Sequence, residues 1–274
     1  MSEQHEQKDD IAPVIRTVGL TRKFDDTIAV DNLNLTIAPG AIFGLLGPNG
    51  AGKTTTIKML TTLLAPTAGT ALIDGYDVVK DSAQVRRRIG YVPQLLSADG
   101  ALTGTENLML SARLYRIPRK DRKTKITDAL RFMGLEEAAH TLVRKYSGGM
   151  VRRLEIAQAM LHRPAVLFLD EPTIGLDPIA RHLVWDRLRE MRDAAMTILL
   201  TTHDMEEADA LCGTLAIMHR GVIAAQGSPA QLKAGIGPSA TLDEVFALYG
   251  GGSVDAGGNY RDIRDARSTA QRLG

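Results

Sequence analysis

Eight consecutive residues carry the clearest chemistry in this 274-residue chain. Gly47-Pro48-Asn49-Gly50-Ala51-Gly52-Lys53-Thr54 has the spacing G-x-x-x-x-G-K-[ST]. Glycines let consecutive backbone N–H groups close around phosphate oxygens, and the lysine ammonium reaches the outermost phosphates. The Thr54 hydroxyl is a hard oxygen donor suited to Mg²⁺, and Thr55 beside it is a further candidate phosphate contact. The spacing therefore predicts nucleoside triphosphate binding, with the N-terminus of the following helix turned toward the anion. Such a loop alone does not separate GTPase, kinase and ATPase chemistry.

Two carboxylates narrow the choice. Ala165-Val166-Leu167-Phe168-Leu169 reads as a buried strand that delivers Asp170 and Glu171 at its C-terminal end, where α/β sheets bind ligands. Asp170 is expected to hold the metal with Thr54. Glu171, one residue on, is turned to the other face, where it can orient and deprotonate an attacking water. Water attack implies hydrolysis. A third constellation, Tyr146-Ser147-Gly148-Gly149-Met150, opens a helix whose apolar positions Met150, Leu154, Ala157 and Leu161 repeat at helical spacing until Pro164. A Ser-Gly-Gly start is an ordinary helix cap, yet its exposed N–H groups and hydroxyl can also hold a phosphate. The loop at 47–54 already cradles one, so the phosphate met by Ser147, Gly148 and Gly149 is expected on a second chain. Two copies facing head to tail would sandwich nucleotide in a two-fold dimer that hydrolysis loosens.

The elements that must position these groups show in the apolar patterning. From Val14 to Ile37 two alternating stretches broken at Lys23 to Thr27 predict antiparallel strands. Ile42 to Leu46, the glycine-rich turn and Lys53 to Leu64 predict strand, phosphate loop and helix. From Leu95 to about Tyr146 apolar positions recur every three to four residues, clearest in Glu106 to Tyr115 and Ile126 to Met133, and predict a helical insertion spanning about residues 95–163. Strand and helix then alternate: Val166 to Leu169, Ile179 to Met191, Thr197 to Thr201 and Glu206 to Ala210. A hairpin around Arg220-Gly221 and a helix over Leu242 to Tyr249 close the domain. The organisation expected is a flexible stretch over 1–13, one domain over 14–249, and a linker and tail over 250–274. Gly250 to Gly258 holds five glycines; beyond it Tyr260, Ile263, Ala266, Ala270 and Leu273 share one helical face.

Lys and Arg number 33 against 32 for Asp and Glu, which gives no general attraction to nucleic acid or anionic lipid. The strongest local exception is Arg116 to Lys125, six bases against one acid, without aromatics to stack bases; it reads as a solvated helix start. The single cysteine, Cys212, excludes an intrachain disulfide and reads as a buried thiol. The polar N-terminus does not fit a signal peptide, and no apolar run approaches the roughly 20 residues that span a bilayer.

Taken in order from Phe24 to His203, these motifs resemble the ATP-binding subunit of ABC (ATP-binding cassette) transporters. The resemblance implies an α/β fold, a P-loop NTPase of the ABC type: a mainly parallel sheet core, an antiparallel β-layer and the inserted helical subdomain. It also implies roles that spacing alone does not give. Phe24 occupies the place of an aromatic that stacks on adenine, and Gln94 in Tyr91-Val92-Pro93-Gln94 that of a glutamine joining the metal site to the helical subdomain. Asp177 in Gly175-Leu176-Asp177-Pro178 lies in a loop that speaks across the dimer, and His203 in Thr201-Thr202-His203-Asp204 matches a histidine that contacts the γ-phosphate. The catalytic set implied is Glu171, His203 and Gln94, with ATP and Mg²⁺ as ligands and Thr54, Gln94 and Asp170 as the metal's neighbours.

The third motif departs from the commonest form, LSGGQ, by placing Met150 where glutamine stands. With Thr173-Ile174-Gly175-Leu176-Asp177-Pro178 and Thr241-Leu242-Asp243-Glu244-Val245-Phe246, it resembles the daunorubicin/doxorubicin-resistance type of subunit. That branch implies an exporter of the ABC-2 type, a separate membrane permease, a homodimer of ATP-binding subunits in the closed state, and a peripheral location on the cytoplasmic face of the membrane. No nucleic acid is expected as a partner. A soluble ABC ATPase acting on ribosomes, nucleic acid or cofactor assembly would share every nucleotide motif. The chain has none of the second cassette, coiled-coil array or cysteine cluster that such proteins add.

Overall fold

The computed structural model describes residues 12–250, so the polar start and most of the glycine-rich tail lie outside the described residues. The chain opens with β1 (Ile15–Phe24) and β2 (Thr27–Ile37), antiparallel and joined through Asp25-Asp26, with Asp25 in the left-handed region. β3 (Ile42–Leu46) enters the phosphate loop and α1 (Lys53–Leu60) leaves it. The helix is four residues shorter than the apolar pattern suggests, because Thr62 turns to φ 63°. Then come β4 (Ala68–Ile73), β5 (Tyr76–Asp77), α2 (Ser82–Arg88) and β6 (Ile89–Val92). The helical insertion consists of α3 (Gly104–Leu114), α4 (Arg119–Phe132) and α5 (Gly148–Met160). α3 is started by a capping box between Thr103 and Glu106, so residues 95–102 form a loop and not a helix. The remainder is β7 (Val166–Asp170), α6 (Pro178–Asp193), β8 (Thr197–Thr202), α7 (Met205–Leu211), β9 (Thr214–His219), β10 (Val222–Gly227), α8 (Pro229–Ala234) and α9 (Leu242–Tyr249).

Two sheets result. The antiparallel layer has order β2-β1-β4-β5, two strands more than the sequence pattern reveals, since β4 opens with an exposed Ala-Gly-Thr and β5 is only two residues long. The second sheet has order β10-β9-β3-β8-β7-β6, parallel throughout except for β10. Its central strands are apolar on both faces, as a parallel sheet covered on both sides requires. Alternate residues serve different cores: Leu167 and Leu169 pack with the helical insertion, whereas Val166 and Phe168 pack with the antiparallel layer. β3 divides in the same way, Ile42 and Leu46 against Phe43 and Leu45. The core strands thereby lock the antiparallel layer, the sheet and the helices into register with one another. Cys212 is buried, and burial pushes its thiol well above the usual range, in keeping with an inert side chain. Among the described residues no helix is long and apolar enough to cross a membrane.

Candidate nucleotide site

Four neighbouring parallel strands, β3, β8, β7 and β6, end at the same edge of the sheet, where the loops after parallel strands form ligand crevices. Each contributes one part. After β3 comes the loop 47–54, at the end of β7 Asp170 followed by Glu171, after β8 His203, and after β6 Gln94. Lys53 and His203, 150 positions apart (203 less 53), thus reach the same carboxylate because the strand order, not the sequence order, sets their spacing.

The loop is shaped by its glycines. A Cβ at Gly47 would lie 2.6 Å from the Met218 carbonyl oxygen, and one at Gly52, whose φ is 107°, would lie 2.5 Å from that of Ala29. Gly50 also has positive φ. The remaining loop residues, Pro48, Asn49 and Ala51, complete the turn, with the Ala51 N–H donating to the Pro48 carbonyl at 3.1 Å. Lys53 is 5 % exposed and donates to the Gly47 carbonyl at 2.7 Å and the Pro48 carbonyl at 3.3 Å. Burial lowers its pKa, opposed by the charges of Glu171 and Asp170. A nearly buried cation beside backbone turned in on itself fits a polyphosphate chain, the anion that would satisfy it. Thr55 lies half-buried in the first turn of α1.

Asp170 and Glu171 take different partners, as their opposite orientation predicts. Asp170 Oδ1 accepts from Thr54 Oγ1 at 3.2 Å and from Thr201 Oγ1 at 2.6 Å. One carboxylate beside one hydroxyl is a hard-oxygen pair of the kind Mg²⁺ uses when phosphate and water fill its other positions. Glu171 is buried and sits at φ 49°, an unfavourable conformation for a side chain of this size. Its N–H is held there by both the carbonyl and the hydroxyl of Thr201, each at 3.1 Å. Its carboxylate is the meeting point of the site. Gln94 Nε2 donates to Oε2 at 3.1 Å, while His203 Nδ1 lies 3.3 Å and Lys53 Nζ 3.7 Å from Oε1. Gln94 shows its amide N–H to this carboxylate, which leaves the amide oxygen as the atom that could face a metal.

Ser147, Gly148, Gly149 and Asp177 form a second cluster. Ser147 caps α5 by accepting from the Met150 N–H at 3.3 Å, and Asp177 caps α6 by accepting from Ala180 at 2.9 Å. The two helix starts touch: a Cβ on Gly149 would lie 2.6 Å from the Ala180 Cβ, and one on Gly148 would lie 3.6 Å from Leu176. Among the described residues no side-chain hydrogen bond or ion pair joins this cluster to Lys53 or Glu171 within one chain. Met150, in the position where glutamine is commoner, is half-buried and packs against the core beneath α5. Phe24, 41 % exposed as a residue, ends β1 with the Arg22 guanidinium 4.5 Å from its ring centroid. It pairs with Thr27, two residues from the Ala29 carbonyl that abuts Gly52, so the β1–β2 turn stands beside the phosphate loop.

Two contributors escape a reading by motif. Thr201 supports the Asp170 carboxylate and the Glu171 backbone N–H, but its alignment with Asp170 appears only in the β7–β8 register. Glu207 on α7 is buried and accepts from Thr173 Oγ1 at 2.7 Å and Trp185 Nε1 at 3.1 Å, tying the loop after Glu171 to the helices behind it. Burial raises its pKa. The one sequence signal for it is that Glu207 shares a helical face with Leu211. The basic stretch begins α4 on the exterior, with Arg122 donating to the Ile117 carbonyl, as a solvated helix start should.

Comparison with known proteins identifies the family and the fold. The family model described as ABC transporter matches residues 30–174. The daunorubicin/doxorubicin resistance ATP-binding protein DrrA of Streptomyces peucetius is 45 % identical over 223 residues, 81 % of this chain and 68 % of that protein. The Nod factor export ATP-binding protein I of Cupriavidus metallidurans is 43 % identical over 219 residues, 80 % of this chain and 72 % of its own length. Among solved structures, an ATP-binding subunit of an ABC transporter superposes with a TM-score of 0.77 at 29 % identity, covering 85 % of this chain and 98 % of its own. The dimeric MJ0796, a bacterial ABC transporter cassette, gives 0.71 at 25 % identity, covering 78 % and 98 %.

Proposed function

This chain belongs to the ABC transporter family, and from that premise we propose that it is the ATP-hydrolysing subunit of an exporter, working as a dimer on a separate membrane permease. The observation that carries the catalytic part is the convergence of Gln94, His203 and Lys53 on the Glu171 carboxylate. In this reading ATP lies along the 47–54 loop, with Lys53 and Thr55 on its phosphates and the adenine on Phe24. Thr54 and Asp170, with Gln94 nearby, would hold Mg²⁺, whose charge would offset that of the phosphates. Glu171 takes a proton from the attacking water, whose oxygen bonds to the γ-phosphorus as the bond to ADP breaks. His203 holds the γ-phosphate side of the same carboxylate, and Gln94 joins it to the helical subdomain.

Ser147, Gly148 and Gly149 of one copy would face the nucleotide of the other, with Asp177 alongside, so that ATP closes the pair and hydrolysis reopens it. The dimeric cassette similar to this chain supports that arrangement. The permease is expected at the cleft between the helical insertion and the sheet, where Leu95, Leu96 and Leu114 are 81 %, 56 % and 72 % exposed. Leu114 lines this cleft and Leu95 and Leu96 precede its lining residue Ser97, an exposed apolar surface that suits an apolar helix from a partner. In this reading the chain sits on the cytoplasmic face of the membrane, held by its partner. An ABC-2 permease and a drug-like or other hydrophobic cargo are suggested by the drug-resistance and Nod-factor export relatives. The test is to tag the chain in its native cell, solubilise membranes in mild detergent and identify stoichiometric partners by mass spectrometry. A multi-span membrane protein is expected; a ribosomal, DNA-bound or wholly soluble partner overturns the exporter reading.

A further inference from the structure

Two buried charges remain outside the roles assigned so far. Arg152 and Glu155 lie one turn apart on α5, each side chain 2 % exposed, with Arg152 Nη1 3.1 Å from Glu155 Oε2. Taking two ions out of water is unfavourable, and apolar side chains of similar volume would fill the space at least as well. Among the described residues every other side-chain hydrogen bond of the pair goes to one loop. Arg152 donates through Nη1 to the Pro93 carbonyl at 2.7 Å and through Nη2 to the Gln94 carbonyl at 2.8 Å. Glu155 Oε1 accepts from the Ser97 N–H, from the Ser97 hydroxyl at 3.1 Å and from the Ala98 N–H at 3.2 Å. The ion pair therefore holds residues 93–98 at both ends. Within that span Gln94 reaches Glu171, and Leu95 and Leu96 face outward. The helix that bears the pair begins at Gly148, one residue after the Ser147 cap.

We propose that Arg152 and Glu155 are positioning residues for ATP hydrolysis, a buried clamp on α5 that fixes the 93–98 backbone and so sets Gln94 against Glu171. The proposal rests on the reading of Glu171 as the hydrolytic base. Through the clamp, three separate surfaces share one rigid unit: the Ser-Gly-Gly helix start, the exposed leucines and the amide on the catalytic carboxylate. A shift imposed on α5 or on Leu95 and Leu96 moves Gln94 relative to Glu171. Arginine is required because its planar fork spans two successive carbonyls, which a lysine ammonium cannot do from one point.

The experiment measures kcat and KM for ATP hydrolysis by the full chain carrying Arg152→Lys, Glu155→Gln, or Arg152→Met with Glu155→Leu, each with and without Gln94→Ala. The double apolar variant removes the clamp without leaving a lone buried charge, and Arg152→Lys keeps the charge but not the fork. The expected result is a fall in kcat of about 10-fold to 10²-fold, the scale of a small misplacement at a reacting centre, with KM within about twofold. In the Gln94→Ala background the same substitutions should cause no further loss, because the group being positioned is gone. Unchanged kcat overturns the proposal. So do losses that multiply with Gln94→Ala, or a raised KM at constant kcat, since either assigns the pair a structural role. Glu171→Gln, measured alongside, separates the two levels. If that variant turns over at the wild-type rate, the base reading and the clamp fall together; if it is inactive while the Arg152 and Glu155 variants are normal, only the clamp falls.

Discussion

Thr201→Val removes one hydroxyl from the centre of the site while keeping its shape. Thr201 is fully buried, so a valine leaves no cavity and the strand keeps its β-branched residue. The hydroxyl has two partners, and they are not equally exposed to its loss. The Glu171 N–H retains the Thr201 carbonyl at 3.1 Å. Asp170 Oδ1 loses its 2.6 Å donor outright and keeps only Thr54, at 3.2 Å. A hydrogen bond to a charged group contributes about 1.5–3 kcal/mol, so the substitution should destabilise the fold by about 2 kcal/mol. For a chain of this size that corresponds to a fall of about 4 to 8 °C in the unfolding midpoint. The assay is thermal unfolding followed by far-UV circular dichroism without nucleotide, compared with Thr201→Ser. Serine restores the donor at the expense of a methyl group, so it should recover ATP hydrolysis even where some stability is lost. A midpoint within about 1 °C of wild type for the valine variant would refute the idea that Thr201 supports Asp170, and so would a serine variant as impaired in hydrolysis as valine.

Glu171→Gln should retain ATP binding and lower kcat by about 10² to 10⁴, the usual contribution of a general base, and should trap the nucleotide-bound dimer seen by size exclusion; wild-type turnover would refute it. Because burial lowers the pKa of Lys53, the folded state binds fewer protons there than the unfolded state, and stability from this group rises as pH rises toward 10.5. Wild type should therefore gain on Lys53→Met in unfolding midpoint between neutral pH and about pH 10, and a narrowing gap would contradict the sign. Ser147→Asp keeps a residue that caps helices well but sets a negative charge where a partner's phosphate is expected. It should change the unfolding midpoint by under about 2 °C while abolishing ATP-driven dimerisation, whereas dimerisation at wild-type ATP concentrations would exclude Ser147 from the nucleotide interface.

The core strands and the phosphate loop were legible because their signals are local. An apolar run ending in Asp170-Glu171, or glycines at fixed spacing before a lysine, states its own context. What stayed hidden depends on pairs that no local pattern contains. β6 is four residues long and includes Gly90, whose missing side chain leaves room for the α5 backbone at Ala159, so it reads as neither strand nor helix until the two are packed together. Thr201 looks like any strand threonine until the parallel register places it opposite Asp170. Arg152 and Glu155 look like solvent-facing charges on a helix that proves to be buried along that side, where Ile156 and Ala159 follow Arg152 at helical spacing. The segment 95–102 reads as helical by periodicity, yet its backbone groups are taken by Glu155 and Asn107 side chains, which stabilise a loop.

The Ser147 and Asp177 region shows why a motif can be correct and still be uninformative about its role. Each side chain already has a full structural explanation inside one chain, as a helix cap, and Gly149 is required by Ala180 whether or not a phosphate ever approaches. Capping does not exhaust the chemistry, however. A serine hydroxyl has one donor and two acceptor positions, and the cap uses a single acceptor, so the O–H of Ser147 is still free to donate to an anion. Ser147 and Gly148 are exposed, and the N–H groups of that first turn point along the same axis. The cap fixes the hydroxyl, and the packing of Gly149 on Ala180 fixes the helix start against the Asp177 loop, so both arrive at a dimer interface already oriented. The structural role is therefore the condition for the proposed one: a serine left uncapped, or a helix start free to move, would present the same atoms to a phosphate with less order and weaker discrimination.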